Sequence, residues 1–144
     1  RFFTVYGARQ RPEMAICKFA SAMLDGRPIT LFGDGSSARD YTFISDIVDG
    51  IERTLSNPDG YRVMNLGGEY TVTLSTLVAT IASAINVDPK IEYLPNQAGD
   101  VSITSADVTR ARSTIGYSPQ VNLEEGIRRF VSWLEHTRSL PTER

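Results

Sequence analysis

The chain alternates short extended segments with stretches of helical period. Its opening positions are apolar and β-favouring, which predicts a strand from the first residue. Further extended segments are predicted at residues 28–32, 39–44, 61–66 and 90–94. Helices are predicted from Pro12 to a stop at Gly26, from Ser45 to Asn57, from Thr73 to Ile85, from Ala106 to Ile115, and after Asn122 to at least Leu134. This order of elements indicates a mixed α/β fold.

Capping residues sharpen three of the helix starts. Ser45 and Thr73 are predicted N-caps, because a hydroxyl there can accept an amide hydrogen of the first helical turn. Asn122 and Glu125 have the spacing of a capping box. The last helix is expected to bury one face, consisting of Ile127, Phe130, Val131 and Leu134. Residues after Leu140 are predicted to fray.

Composition narrows the class of protein. The 144 residues are 41% hydrophobic and 22% charged, as in one folded domain, and no apolar run approaches the ~18 residues of a membrane span. A formal charge of −2 gives no general attraction for nucleic acid. The single cysteine, Cys17, and single histidine, His136, exclude an internal disulfide and make a His/Cys metal site implausible. We expect a reducing, cytoplasmic location, no membrane or nucleic-acid partner, and no bound metal.

Four ordered motifs carry a family resemblance. They are Arg-Phe-Phe-Thr-Val-Tyr-Gly-Ala-Arg-Gln-Arg-Pro at 1–12, Phe-Gly-Asp-Gly-Ser-Ser-Ala-Arg-Asp-Tyr-Thr-Phe-Ile-Ser-Asp-Ile-Val at 32–48, Asn-Leu-Gly-Gly at 65–68, and Gly-Asp-Val at 99–101 with Ala106-Asp107. Together they resemble the C-terminal half of NAD-dependent nucleotide-sugar epimerases and dehydratases, the extended short-chain dehydrogenase/reductases. Within that family the chain is most similar to UDP-glucose and UDP-glucuronate 4-epimerases, which are isomerases.

The resemblance implies an incomplete enzyme. Residues 1–144 would form the substrate-binding half of the α/β fold, and an N-terminal half would supply the other strands of a Rossmann-type sheet and most of the NAD site. The only lysines, Lys18 and Lys90, lack a Tyr four positions earlier, and no Gly-x-x-Gly-x-x-Gly occurs. No catalytic residue is therefore expected here, and the chain alone is predicted to be inactive. The full protein would be a homodimer.

The same resemblance assigns a UDP-binding set. Arg39 matches an Arg that contacts phosphate, and a guanidinium suits that role because it binds phosphate bidentately. The competing interpretation is a surface salt bridge with Asp34 or Asp40. The strand that includes Thr30, Leu31 and Phe32 would pair with uracil through its backbone. Further substrate-binding residues implied by the family are Met14 and Ala15 at a helix start, and Gln97 and Asp100 in a loop.

Three residues of the first motif concern the sugar and the cofactor. Thr4 and Arg11 match positions that hold the carboxylate of a hexuronate, and Arg suits a carboxylate. Arg11 could instead pair with Glu13. Phe3 matches a residue near the nicotinamide, although an apolar strand residue is more often simply core.

Two other functions remain open from the sequence. The chain could be a noncatalytic nucleotide-sugar-binding or interaction module that has the fold without the chemistry. It could also come from a dTDP- or GDP-sugar dehydratase, which uses the same NAD chemistry. Which sugar and which base are bound is not determined by the sequence.

Overall fold

A computed structural model describes residues 1–56, 58, 60–96 and 99–140. The elements in chain order are β1 Thr4–Tyr6, α1 Ala15–Leu24, β2 Ile29–Phe32, β3 Ala38–Phe43, α2 Ile44–Ser56, β4 Thr71–Thr73, α3 Leu74–Ile85, β5 Ile91–Leu94, α4 Thr109–Ile115 and α5 Leu123–Ser139. The mixed α/β fold is confirmed. None of these helices is both long and apolar enough to cross a bilayer. The predicted fraying after Leu140 lies outside the described residues.

The described strands form two small sheets. In the first, β1 pairs with β3 in parallel and β3 pairs with β4 antiparallel, giving the order β1-β3-β4. In the second, β2 and β5 pair in parallel, with Ile29 opposite Ile91 and Phe32 opposite Leu94. Parallel neighbours need long crossover connections, so residues far apart in sequence meet at these sheets.

A layer of helices supplies the main core. Helix α3 packs against both α1 and α5, and the apolar faces of all three meet the two sheets. The largest fully enclosed side chains of this cluster are Tyr6, Leu31, Leu77, Ile81, Ile127 and Phe130. The predicted buried face of the last helix is confirmed. A second, smaller cluster joins α2, α4 and the segment around Leu66.

Two predicted helix caps are confirmed. The Thr73 hydroxyl accepts the Thr76 amide hydrogen at 3.1 Å, and the Asn122 side chain accepts that of Glu125 at 2.9 Å. Glu125 does not complete a reciprocal box among the described bonds. Its carboxylate instead takes hydrogen bonds from Arg128 and Arg129 on the exposed side of α5.

The predicted Ser45 cap is wrong. Helix α2 begins at Ile44, directly after the last residue of β3, so Ser45 already lies inside the first turn. A hydroxyl before an acidic residue is typical of a cap, but it does not reveal that the strand and the helix adjoin. Only part of the apolar sequence pattern of α2 is buried, because Ile47 is enclosed while Val48, Ile51 and Leu55 are exposed.

The strand predicted at 61–66 is wrong as well. Only Leu66 forms a bridge, to Phe2, and Tyr61 is 93% exposed. The β-favouring side chains of this segment have no neighbouring strand among the described residues, and propensity without a pairing partner does not make a strand. Residues 1–3, which precede β1, lie beside Leu66: the Phe3 amide donates to the Leu66 carbonyl and the Leu66 amide donates to the Arg1 carbonyl, and this contact amounts to the single Phe2–Leu66 bridge.

Two other helix starts lie later than predicted. Helix α1 begins at Ala15, because the Met14 amide bonds to the Arg11 carbonyl in a turn that precedes the helix. Helix α4 begins at Thr109, whose amide bonds to the Asp107 carboxylate. Gly116 ends α4 as predicted, in the left-handed conformation with φ 66°.

A buried carboxylate brings three of the sequence motifs together. Asp40 of β3 is fully enclosed and accepts hydrogen bonds from the Gly68 amide at 2.7 Å and the Ala106 amide at 3.1 Å. Gly67 and Gly68 pass so close that a Cβ on Gly68 would lie 2.7 Å from the Tyr41 carbonyl oxygen. Asp40 therefore fixes the position of β3, and with it the position of the preceding residue, Arg39.

Candidate functional site

Two clefts flank the start of α1. The larger, of about 660 Å³, runs along β1 and the turn after it, and is lined by Phe3, Thr4, Arg11 and Met14 among others. The smaller, of about 230 Å³, lies between α1, β2 and β3 and is lined by Ala15, Thr30, Phe32, Arg39 and Asp100 among others. The structure thus brings nine of the predicted site residues together around one helix start. Gln97, the tenth, lies outside the described residues.

The start of α1 lacks a side-chain cap. Met14 occupies the N-cap in an extended conformation, φ −69° and ψ 142°, and makes no capping bond. The start of α3 differs, because the Leu74 and Ser75 amides bond to the carbonyls of Ser37 and Gly35. The first amides of a helix have no carbonyl within it to bond to, and they carry the positive end of the helix dipole. The α1 start therefore suits an anion.

The backbone of β2 has one edge without a strand beside it in the described structure. Ile29 donates its amide hydrogen to Lys90 and Gly33 donates to Leu94. Residues alternate between the two edges of a strand, so the peptide groups of Thr30 and Phe32 face away from β5. Both residues line the smaller cleft. This edge can offer donors and acceptors to a planar, hydrogen-bonding ring.

Arg39 extends across the mouth of the smaller cleft. Its Nη2 donates to Asp100 Oδ1 at 2.5 Å, and its Nη1 donates to the Ala38 carbonyl at 2.9 Å. The Arg39 side chain is 22% exposed. Asp34 and Asp40, the partners expected for a surface salt bridge, instead bond to Ser36 and to backbone amides. Two predicted site residues, 61 positions apart, are therefore directly paired.

The turn before β3 places this arginine. Gly33 and Gly35 have φ of 76° and 82°, a region that other residues adopt at a cost. Asp34 accepts hydrogen bonds from the hydroxyl of Ser36 and from its amide at 2.5 and 2.9 Å, and these bonds lower the pKa of the Asp34 carboxyl. The closed turn packs on the start of α3 and leads into β3.

The larger cleft has a charged rim. Arg11 is 76% exposed and lies 3.3 Å from the Glu13 carboxylate, so the ion pair between these two residues is present.

Phe3 is half-buried against the second core cluster, so it has both a packing role and a face near the cleft. Tyr6, which also lines this cleft, is buried, and this burial raises the pKa of its phenol.

Sequence reasoning missed Gln10. Its backbone amide bonds to the Gly7 carbonyl at 3.2 Å, and Arg9 before it has a left-handed φ of 63°. Both polar atoms of the Gln10 side chain are buried and have no hydrogen-bond partner among the described residues. An unpaired buried amide is costly, which marks this turn as a candidate part of the site. No hydrophobic periodicity signals it, because the residue lies in a short turn.

Cys17 and His136 lie away from this chemistry. The Cys17 thiol is buried in the main core, and His136 lies exposed in the last turn of α5. Trp133 is partly buried against the same core. None of these three residues lines either cleft.

A family model matches a little under half of this chain. The model described as "NAD dependent epimerase/dehydratase family" matches residues 1–67. The chain is a relative of this family. The match includes β1, the start of α1, β2 and Arg39, and therefore most of the residues around the two clefts.

Curated relatives extend the similarity over nearly the whole chain. An uncharacterized protein from Methanocaldococcus jannaschii is 43% identical over 92% of the chain and 41% of its own length. A UDP-glucuronate 4-epimerase from Thermodesulfobacterium geofontis is 38% identical, again over 92% of the chain and 41% of that protein. The chain thus spans less than half the length of these relatives.

Solved structures share the arrangement of elements. A UDP-glucuronic acid 4-epimerase from Bacillus cereus, in complex with UDP-glucuronic acid and NAD, matches with a TM-score of 0.90 and 31% identity over 95% of this chain and 44% of that one. A UDP-glucose 4-epimerase from Thermotoga maritima, with UDP-glucose, gives a TM-score of 0.91 at 31% identity, covering 96% and 46%. The fold is that of extended short-chain dehydrogenase/reductases.

Proposed function

We propose that this chain is the nucleotide-sugar-binding portion of an NAD-dependent UDP-sugar 4-epimerase. The observation that carries the proposal is the meeting of Arg39, the uncapped start of α1 and the free edge of β2 around one cleft. These three features provide a guanidinium, helix amides and a strand edge, which suit a phosphate, a second anionic group and a base respectively. The relatives named as UDP-sugar epimerases support it.

The ligand is oriented by the order of the two clefts. The uracil pairs with the backbone of Thr30 and Phe32, and the diphosphate lies between Arg39 and the α1 start. Because Met14 lines the larger cleft and Ala15 the smaller, a diphosphate at this helix start places the sugar beside Thr4 and Arg11. Asp100 lines the same cleft as Arg39, and the family resemblance assigns Gln97 to the same nucleotide-binding set.

The role of this portion is to grip the part of the substrate that does not react. Epimerisation needs the sugar to turn within the site, and a firmly held diphosphate keeps it there while it turns. Bound NAD would supply the nicotinamide that takes up a hydride from the sugar and gives it back. Phe3 presents an apolar surface suited to a nicotinamide ring, but this sequence has no glycine-rich dinucleotide motif, so the rest of the NAD site lies in a portion beyond these residues.

The sugar is proposed to be a hexuronate, with a neutral UDP-hexose as the second candidate. Thr4 and Arg11 line the larger cleft together, and the Arg11 guanidinium is exposed and paired only loosely, at 3.3 Å, with Glu13. A substrate carboxylate can replace Glu13 as its partner. The UDP-glucose epimerase of similar fold supports a neutral hexose. Epimerisation of a UDP-sugar by the complete protein would exclude both a noncatalytic binding module and a dehydratase.

The proposal includes a homodimeric enzyme of the cytoplasm. The buried, unpaired thiol of Cys17 suits a reducing compartment. The homodimer rests on the family resemblance alone.

Calorimetry of the 144-residue chain with UDP tests the nucleotide site. Wild type should bind UDP, and Arg39→Ala should weaken that binding by about 10- to 150-fold, which corresponds to ~1.5–3 kcal/mol for a charged hydrogen-bond partner. Arg39→Lys should recover only part, because Lys lacks the planar fork. Arg53→Ala, a change on the exposed face of α2, is the matched control. Absence of UDP binding by the wild type, or equal affinity in Arg39→Ala, would contradict the proposal.

A further inference from the structure

Lys18 lies one turn beyond the start of α1 on the side of the smaller cleft. It lines that cleft together with Ala15 and Arg39, and it is exposed. Ala15 and Lys18 are three positions apart, so they share a face of the helix. The side of α1 that lines the cleft therefore also carries the ammonium group of Lys18.

Helix geometry directs this side chain toward the anion site. Every Cα–Cβ bond in an α-helix tilts toward the N-terminus, and a long side chain covers the turn before its own Cα. The turn before Lys18 is the uncapped start of α1 at Met14 and Ala15. The flexible four-carbon stem can thus bring the ammonium group beside any anion held there.

Of the two cations that line the cleft, Lys18 is the one with no ion-pair partner among the described residues. The residues that line it include two cations, Lys18 and Arg39, and two acids, Glu13 and Asp100. Arg39 is bonded to Asp100 at 2.5 Å, and Glu13 lies 3.3 Å from Arg11. No described hydrogen bond or ion pair involves the Lys18 ammonium. A diphosphate carries more negative charge than one guanidinium neutralises, so a second cation beside it would strengthen binding.

We propose that Lys18 is a diphosphate-binding residue, which completes the charge that Arg39 supplies. The inference rests on the proposed nucleotide site and adds a residue to it. Lys18 approaches the diphosphate from the helix side and Arg39 from the β3 side. The phosphate oxygens are thus held from two directions, and Lys18 acts as a mobile point charge while Arg39 acts as a fixed fork.

The sequence offers a matched control, because Lys90 is the only other lysine. Lys90 precedes β5, and its ammonium lies 3.5 Å from the Gly26 carbonyl, away from the residues of the cleft. In calorimetry with UDP at low salt, Lys18→Met should weaken binding about tenfold, while Lys90→Met should match wild type. Lys18→Arg should retain affinity within about threefold, since the charge is kept. Added salt should reduce the affinity of Lys18→Met less steeply than that of wild type.

Labelling supplies a readout that needs no activity. Limiting acetic anhydride should acetylate both lysines of the wild-type chain, and saturating UDP should protect Lys18 but not Lys90, as measured by peptide mass spectrometry. Circular dichroism of each variant confirms that it is folded. If wild type binds UDP, Arg39→Ala weakens it, and Lys18→Met does not, the inference is overturned while the nucleotide site stands. If wild type binds no UDP, the proposed function itself fails.

Discussion

The Asp40 carboxylate accepts the Gly68 amide hydrogen at 2.7 Å, and this bond joins the strand of Arg39 to a glycine pair 28 residues further along the chain. The Thr42 hydroxyl and the Ala106 amide donate to the same carboxylate at 3.2 and 3.1 Å. An enclosed carboxylate with several donors is stable only while each donor keeps its acceptor. One buried carboxylate thus links β3, the glycine pair and the segment at Ala106 beside the smaller cleft.

Asp40→Asn should destabilise the chain by about 2–3 kcal/mol, because the new amide group cannot accept a hydrogen bond where an oxygen did. Urea unfolding followed by circular dichroism measures this. Asp49→Asn is the control, since Asp49 pairs with Arg53 on the surface of α2 and such pairs contribute little. Equal midpoints for Asp40→Asn and wild type would show that the buried network is not required.

Asp100→Asn tests whether the Asp100 carboxylate competes with an anionic ligand for Arg39, and whether it also binds the ribose. In the structure Asp100 occupies the Arg39 guanidinium, so an anionic ligand must compete with it. Removing that charge should tighten binding of inorganic pyrophosphate by about threefold to tenfold, because an ion pair with an exposed carboxylate is worth on the order of 1 kcal/mol. If the Asp100 carboxylate also binds the ribose, Asp100→Asn should at the same time weaken the binding of UDP. Titration with pyrophosphate and with UDP measures the two affinities. Unchanged affinity for pyrophosphate would show that Asp100 does not compete with an anion for Arg39.

Arg11→Ala tests the choice of sugar in the complete enzyme. If Arg11 meets a substrate carboxylate, the variant should lose kcat/KM with UDP-glucuronate more than with UDP-glucose, by roughly 2–4 kcal/mol of discrimination. Steady-state assays with both substrates measure it. Glu13→Gln is the companion variant, because it frees Arg11 without removing it. Equal losses with both sugars would favour the Arg11–Glu13 pair as a purely structural contact and a neutral hexose as substrate.

Acid should weaken the contact between α1 and α5. Hydrogen bonds from Arg27 and then from Arg138 of α5 lower the pKa of Asp25, which follows α1. A carboxyl with a lowered pKa in the folded state contributes stability above its unfolded pKa and loses it as pH falls through the folded value. Thermal unfolding from pH 6 to pH 2 should therefore show a smaller acid loss in Asp25→Asn than in wild type. Identical pH profiles would exclude the linkage.

The chain alone should neither bind NAD measurably nor interconvert UDP-sugars, because it has no dinucleotide motif and no paired Tyr and Lys. Calorimetry with NAD and a coupled epimerase assay check this. Micromolar NAD binding would show that the cofactor site lies within these residues.

The sequence predicted local features well and pairing poorly. Thr73, Asn122 and Gly116 could be assigned because a cap or stop depends on a few neighbouring residues. The segment at 61–66 could not, since a strand needs a partner that composition does not reveal. The predicted site residues share two clefts, yet the Arg39–Asp100 pair spans 61 residues and no local pattern foretells it. The sequence also gave no sign of Gln10 and Lys18, because only the folded structure shows the buried amide of Gln10 and the cleft that Lys18 lines.

Helix α1 serves both clefts with consecutive residues, Met14 in one and Ala15 in the other. A packed helix shifts as one body, so a small displacement of α1 moves the lining of both clefts together. If the nucleotide and the sugar occupy these clefts as proposed, repacking Cys17 or Ala20 on the buried side of α1 would change the binding of both. A change of sugar preference is then better sought in β1, which lines only the larger cleft.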